Sequence, residues 1–159
     1  DAQANFRERV VVARHNLHER PEFSDDALGA LIERHPRDLI DFCTMGDLED
    51  GAESWRAGDP GNMSGVELID CVRKGKLWIN LREAMSVDDV YRPLFDAMVA
   101  DLKRLNPSYR PLSHESGILI SSPTAQVFIH SDVSETTWSR ACSPAGHCMV
   151  RIGSRISKA

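Results

Sequence analysis

The residues with the clearest potential for chemistry in this chain are a histidine and an aspartate two positions apart, His130 and Asp132. His130 ends the apolar, strand-like run in the stretch AQVFIHSD, and Asp132 follows it. Alternate residues of a strand face the same side, so both side chains could bind one metal ion. An iron site of the two-histidine, one-carboxylate type also requires a second histidine. The spacing alone leaves two interpretations open, half of a metal site or a polar strand end.

The second histidine is not obvious among the remaining residues. His147 follows Asp132 too closely in sequence to return from the far side of a barrel. Cys142, His147 and Cys148 resemble half of a zinc site in composition, but no second pair of ligands accompanies them. We interpret all three as residues of an unstructured tail.

Two further groups of titratable residues have simple interpretations. His15 and His18 would share a face on a helix, but their segment is typical of a strand followed by a loop, so we expect surface or second-layer residues. His114 and Glu115 precede a strand, in the stretch SHESG, and we expect them in a loop. Neither group is predicted to bind metal.

The serines and tryptophans are also interpreted as structural. Ser121 and Ser122 lack the Gly-x-Ser-x-Gly turn that exposes a nucleophilic serine, so we expect them to bond neighbouring backbone groups or to line a barrel. Trp55 and Trp78 are expected to be packing anchors. These residues add no catalytic group to the His130–Asp132 pair.

Composition places the chain among ordinary globular proteins. Of its 159 residues, 42% are hydrophobic and 27% are charged, which suffices for one domain with a core. The net charge of −5 argues against a nucleic-acid-binding surface. No apolar run approaches the roughly 20 residues that span a bilayer. We therefore expect neither a nucleic acid nor a membrane as a partner.

The four cysteines are too sparse for a disulfide framework in a chain of this size. Cys43 and Cys71 fall in apolar segments, where a free cysteine commonly behaves as a small buried hydrophobe. These features predict a reducing, cytoplasmic compartment.

Hydrophobic periodicity and capping signals predict strands and helices in the first part of the chain, and then only strands from about residue 117. Ser24 is expected to begin one helix, and a capping box of Ser64 and Glu67 begins another. A third helix is predicted to start at Ser86, with Pro93 either kinking it or marking a late start. The predicted strands are 9–17, 38–45, 76–81, 117–122 and 125–130, and the main loop is 46–62.

The character of the sequence changes near Trp138, where the stretch WSRACSPAGHCMVRIGSRISKA begins. We recognise in it no alternation of four or more residues and no helical face. A disordered tail has this kind of composition, and so does a segment read in another coding frame after SETT. We favour the change of frame, because a family resemblance stops at the same place.

Four stretches upstream of the tail resemble the cupin-like, JmjC-related branch of the Fe(II)/2-oxoglutarate-dependent oxygenases. They are RHNLHERPEFSDDALGALIERHP, TMGD with the following SWRAG, GKLWINLR, and GILISSPTAQVFIHSDV, within residues 8–137. The last is the most specific, because in that family a strand ending in Ser-Ser-Pro leads to a strand ending in His-x-Asp. The resemblance implies that His130 and Asp132 are iron ligands and that Fe(II) and 2-oxoglutarate are the cofactors.

The resemblance also implies an α+β fold and a division of the chain. Residues 1–112 would form a helical and mixed N-terminal region. Residues 113–137 would be the first strands of an incomplete double-stranded β-helix, a jelly roll of the cupin type. Residues 138–159 would be an aberrant or disordered tail. Relatives of this kind hydroxylate a protein side chain or a small molecule, so a substrate of either class is expected.

The sequence departs from the family pattern after His-x-Asp. The pattern continues with a strand, a glycine among basic residues and later a second histidine, and the tail matches none of these. We therefore expect the chain to be a fragment of such an oxygenase, inactive by itself. An unfinished barrel would leave the edges of 117–122 and 125–130 unpaired and prone to aggregation.

A second interpretation of the same resemblance stays open. The chain would be a non-catalytic, cupin-like module for interaction or dimerisation, with a regulatory role. A discrete homodimer in solution would favour this interpretation over the oxygenase fragment.

Overall fold

The computed structural model describes residues 16–44, 56–107, 111–123, 135–140 and 149–156, with backbone alone at 111–115, 135–140 and 149–156. Four α-helices and six strands give an α+β fold, as predicted. The helices are α1 (Asp25–Arg34), α2 (Gly65–Lys74), α3 (Ala84–Val87) and α4 (Arg92–Leu105). The strands are β1 (Ile40–Thr44), β2 (Arg56–Ala57), β3 (Leu77–Leu81), β4 (Pro111–Ser121), β5 (Glu135–Arg140) and β6 (Met149–Ile156).

The first two helices begin where their sequence signals predict. The Ser24 side chain accepts a hydrogen bond from the backbone N–H of Ala27 at the start of α1. At the start of α2, Ser64 and Glu67 form the complete capping box, each side chain bonding the other residue's backbone. Such caps satisfy backbone donors that the first turn of a helix leaves without intrahelical partners.

The third predicted helix is divided in two. Ser86 was expected as its N-cap, but Ser86 lies inside the four-residue helix α3. The long helix α4 begins only at Arg92, and Pro93 occupies its first turn. Because proline lacks an N–H and fixes φ near −65°, it suits that position, where no intrahelical bond is lost. The late start is therefore confirmed, and the N-cap at Ser86 is wrong.

The six strands form one antiparallel sheet in the order β2-β1-β3-β4-β6-β5. β1 pairs with β3 so that Ile40 lies opposite Leu81, and β3 pairs with β4 so that Leu81 lies opposite Ile118. β6 then pairs with β4 on one side and with β5 on the other. Within the described strands, only β2 and β5 are edges of the sheet.

The core lies between one face of the sheet and the helices. Alternate residues of β3 and β4 are fully buried at Ile79, Leu81, Ser116, Ile118 and Ile120, which marks the face that packs against the helical layer. The sheet contributes Ile40, Ile79, Leu81, Ile118 and Ile120, and the helical side contributes Phe23, Leu28, Leu31, Ile69, Val72, Met85, Tyr91, Phe95 and Met98. We name this the core face of the sheet and the opposite one the second face.

Three strand expectations change. The strand predicted for 9–17 falls mainly outside the described residues, and Leu17 begins a short 3-10 turn (Leu17–Glu19). The strand predicted for 117–122 begins earlier, at Pro111. Its edge was expected to be unpaired, but residues 118–121 pair with β3 on one side and β6 on the other. The expected cause of aggregation therefore does not apply to this strand.

The segment 138–159, expected to be aberrant or disordered, contains strand residues. Trp138 lies in β5, and β6 lies wholly within this segment. The described strands thus form a single open sheet rather than the two facing sheets of a jelly roll. A change of coding frame stays a prediction. None of the described helices has the length and apolar character needed to cross a membrane.

Candidate functional site

The predicted metal ligands His130 and Asp132 lie outside the described residues. The same holds for the strand predicted at 125–130 and for His15, Trp55, Cys142, His147 and Cys148. The structure does describe the two elements that flank the motif. β4 leads into it through Ser121, Ser122 and Pro123, and β5 follows it from Glu135.

The end of β4, directly upstream of the motif, is held firmly by Ser122. This residue is only 2% exposed. Its hydroxyl donates to the carbonyl of Leu77 at 2.9 Å and accepts from the N–H of Leu77 at 3.0 Å. Its own N–H donates to the same carbonyl at 2.9 Å. The expected backbone-bonding role is confirmed for this serine, which joins β4 to the start of β3.

The remaining described candidates behave as structural or surface residues. His18 is half exposed, and its Nε2 is 3.7 Å from Oε1 of the neighbouring Glu19. Trp78 is half-buried on β3, consistent with a packing anchor. His114 and Glu115 were expected in a loop, but their backbone belongs to β4. This loop expectation is wrong, because β4 pairs with β6 at Pro111 as well as at Ser116, with an irregularity in the register between these two residues.

The two described cysteines are free and half-buried rather than fully buried. Burial raises the pKa of the Cys43 thiol, and the nearby carboxylate of Asp41 raises it further. A raised pKa disfavours the thiolate, which is the form that attacks electrophiles and binds metals. Cys43 is therefore suited to packing on β1 rather than to covalent chemistry.

The described part of the chain shows no metal centre of its own. Within it, no group of three histidine, cysteine, aspartate or glutamate residues lies close enough to hold one ion. These residues therefore do not fit a resident iron without His130 and Asp132. No catalytic step through iron or 2-oxoglutarate is derived from them.

The most developed polar cluster of the structure involves residues that the sequence did not single out. Arg34 Nε donates to Asp88 Oδ2 at 2.6 Å, joining the last turn of α1 to the segment between α3 and α4. The hydroxyl of Tyr91 donates to the carbonyl of Glu22, before α1. Its ring meets that of Phe23 edge to face at 5.8 Å. We name Arg34, Asp88 and Tyr91 the clamp.

The pKa values of the clamp residues favour a structural role. Burial raises the pKa of Tyr91 to about 12, so the phenol stays neutral and keeps its donor hydrogen. Burial alone would raise the pKa of Asp88. Hydrogen bonds from Arg34 and from the N–H of Val90 outweigh that effect, and the net pKa is lowered. The clamp thus holds one ionised carboxylate next to one neutral phenol.

We expect the substitution Asp88→Asn to lower the free energy of unfolding by about 1 kcal/mol at pH 7, because Arg34 is partly exposed and its ion pair is screened. A lowered folded-state pKa stabilises the fold above the unfolded pKa of about 3.9, and this contribution is lost as pH falls through the folded pKa. The difference between variant and wild type should therefore shrink as the pH falls below the unfolded pKa and through the lower folded pKa. Urea titrations at several pH values test this.

The neighbouring Asp89→Asn is the matched control, because Asp89 is exposed and outside the clamp. It should leave the pH profile unchanged. An Asp88→Asn protein with the wild-type profile would show that the ion pair contributes nothing.

A second polar group ties the sheet to the helices. Asp41 Oδ2 on β1 accepts from Asn80 Nδ2 on β3 at 3.1 Å and forms an ion pair with Arg82, whose Nε is 3.3 Å away. The buried ring of His35, just after α1, donates from Nε2 to the carbonyl of Arg82 at 2.9 Å. Sequence spacing could not indicate these contacts, because each joins residues far apart in the chain. Asp41, Asn80, Arg82 and His35 thus each have a hydrogen-bond or ion-pair partner within this group.

Comparison of the chain with protein-family models, with curated proteins and with solved structures found no match. The function proposed below therefore rests on the chain's own residues and on the resemblance of its motifs.

Proposed function

We propose that this chain is related to the cupin-like Fe(II)/2-oxoglutarate-dependent oxygenases and that His130 and Asp132 are two of its metal ligands. One observation carries the proposal. The Ser-Ser-Pro end of β4 is anchored to β3 through Ser122, and the His-x-Asp motif follows shortly after it in sequence. This anchor fixes the point from which the chain continues toward the motif.

The register of the described strands is compatible with a jelly roll. β4 ends with Ser121 opposite Met149, whereas β5 begins with Glu135 opposite Arg155. These two points lie at opposite ends of β6, on the order of 20 Å apart along the strand. The chain between Ser121 and Glu135 therefore connects points at opposite ends of β6. We propose that the described sheet is one of the two sheets of such a fold.

The expected activity follows from the number of ligands. A two-histidine, one-carboxylate site leaves open positions for 2-oxoglutarate and dioxygen, which together supply an oxidant for hydroxylation. The family pattern places only His130 and Asp132 in this sequence, so we expect weak metal binding and no turnover by the chain alone. The substrate of the related oxygenase would be a protein side chain or a small molecule. A homodimer is the proposed assembly if the chain is instead a non-catalytic module.

We expect His130→Ala and Asp132→Ala each to weaken Fe(II) binding by at least roughly 10-fold, the scale on which even outer-shell partners of a metal act. Anaerobic calorimetry with Fe(II), or absorption with Co(II) as a probe, measures this. His18→Ala is the matched control, because His18 is an exposed histidine on a different element.

Two results would contradict parts of this proposal. Unchanged metal binding in both variants would remove His130 and Asp132 as ligands. Tight binding of Fe(II) and 2-oxoglutarate together, lost in His130→Ala, would support the ligands but overturn the expectation that the chain is inactive.

A further inference from the structure

We draw no further inference here: the strongest candidate, the second face of the sheet with the half-buried side chains of Trp78 and Leu119, carries no proposal, because nothing in the described part of the structure shows what covers it.

Discussion

The substitution Gly65→Ala is expected to destabilise the protein by about 3 kcal/mol or more, the upper range for overpacking a tightly packed contact. Gly65 is the first residue of α2 and lies against Gly29 in the middle of α1. A Cβ at Gly65 would be 2.0 Å from the Gly29 carbonyl oxygen and 2.6 Å from its carbonyl carbon. Both atoms belong to backbone, so no side-chain rotation can relieve the contact.

The two helices would have to separate to accept the methyl group, and the separation would break other contacts. The N–H of Gly65 donates to Oε1 of Glu33 on α1 at 2.8 Å. That bond supplies a partner for a donor that the first turn of α2 cannot satisfy within the helix. Apolar residues of both helices, including Leu31 and Ile69, share the core beneath the contact. The loss therefore combines steric strain, a broken hydrogen bond and weaker packing.

Two other glycines give a graded comparison. A Cβ at Gly29 would lie 3.1 Å from the backbone of Gly65, and a Cβ at Gly58 would lie 3.6 Å from the nearest atom, Cβ of Phe42. Urea unfolding should rank the alanine variants Gly65, Gly29 and Gly58 from most to least destabilised, with Gly58→Ala within about 0.5 kcal/mol of wild type. A Gly65→Ala protein as stable as Gly58→Ala would show that α1 and α2 do not approach this closely.

The close glycine contact shows which parts of the fold the sequence could predict. The helices α1 and α2 were predicted from local signals, since Ser24, Ser64 and Glu67 act on backbone groups within their own first turns. The pairing of Gly29 with Gly65 depends on the packing of two helices, and no local pattern encodes it. The helix starts, which depend on local chemistry, could therefore be predicted from the sequence, and the tertiary contact between the helices could not.

The clamp illustrates the same limit. Arg34 and Asp88 are 54 positions apart, and only the folded chain brings them to 2.6 Å. The start of α4 was partly predictable, because Pro93 has a local effect. The candidate metal site was predicted from His130 and Asp132 alone, and both residues lie outside the described part of the chain. Its ligand set therefore stays a prediction.

The strand β6 contains a pattern that the sequence interpretation missed. In MVRIGSRI, Val150 and Ile152 alternate with Arg151 and Gly153. The register places Val150 and Ile152 opposite the buried Ile120 and Ile118 of β4. Ser154 interrupts the apolar series, and this hid the alternation. The tail was predicted to contain no alternation of four or more residues, and for β6 this prediction is wrong.

The substitution Ile152→Pro is expected to lower the free energy of unfolding by about 2 kcal/mol, because a strand inside the sheet loses a ladder hydrogen bond and a backbone partner is left unsatisfied. Ile152 pairs with Ile118 of β4 on one side and with Trp138 of β5 on the other. Urea unfolding and amide hydrogen exchange at residues 118–121 measure the effect. Deletion of residues 157–159, beyond β6, is the control and should change stability by less than about 0.5 kcal/mol.

The stability and hydrogen exchange of the Ile152→Pro variant distinguish a disordered segment 138–159 from one that pairs with β4. A disordered tail would contribute no partner to β4, so Ile152→Pro would behave like the control deletion, and residues 118–121 would exchange as an open edge. If β6 covers β4, the variant should lose both stability and the protection of those amides. β4 would then be an interior strand of the sheet, held by β3 and β6 together. The proposed relationship to the oxygenases would then depend on the motifs up to Asp132, because the tail would no longer indicate an interrupted barrel.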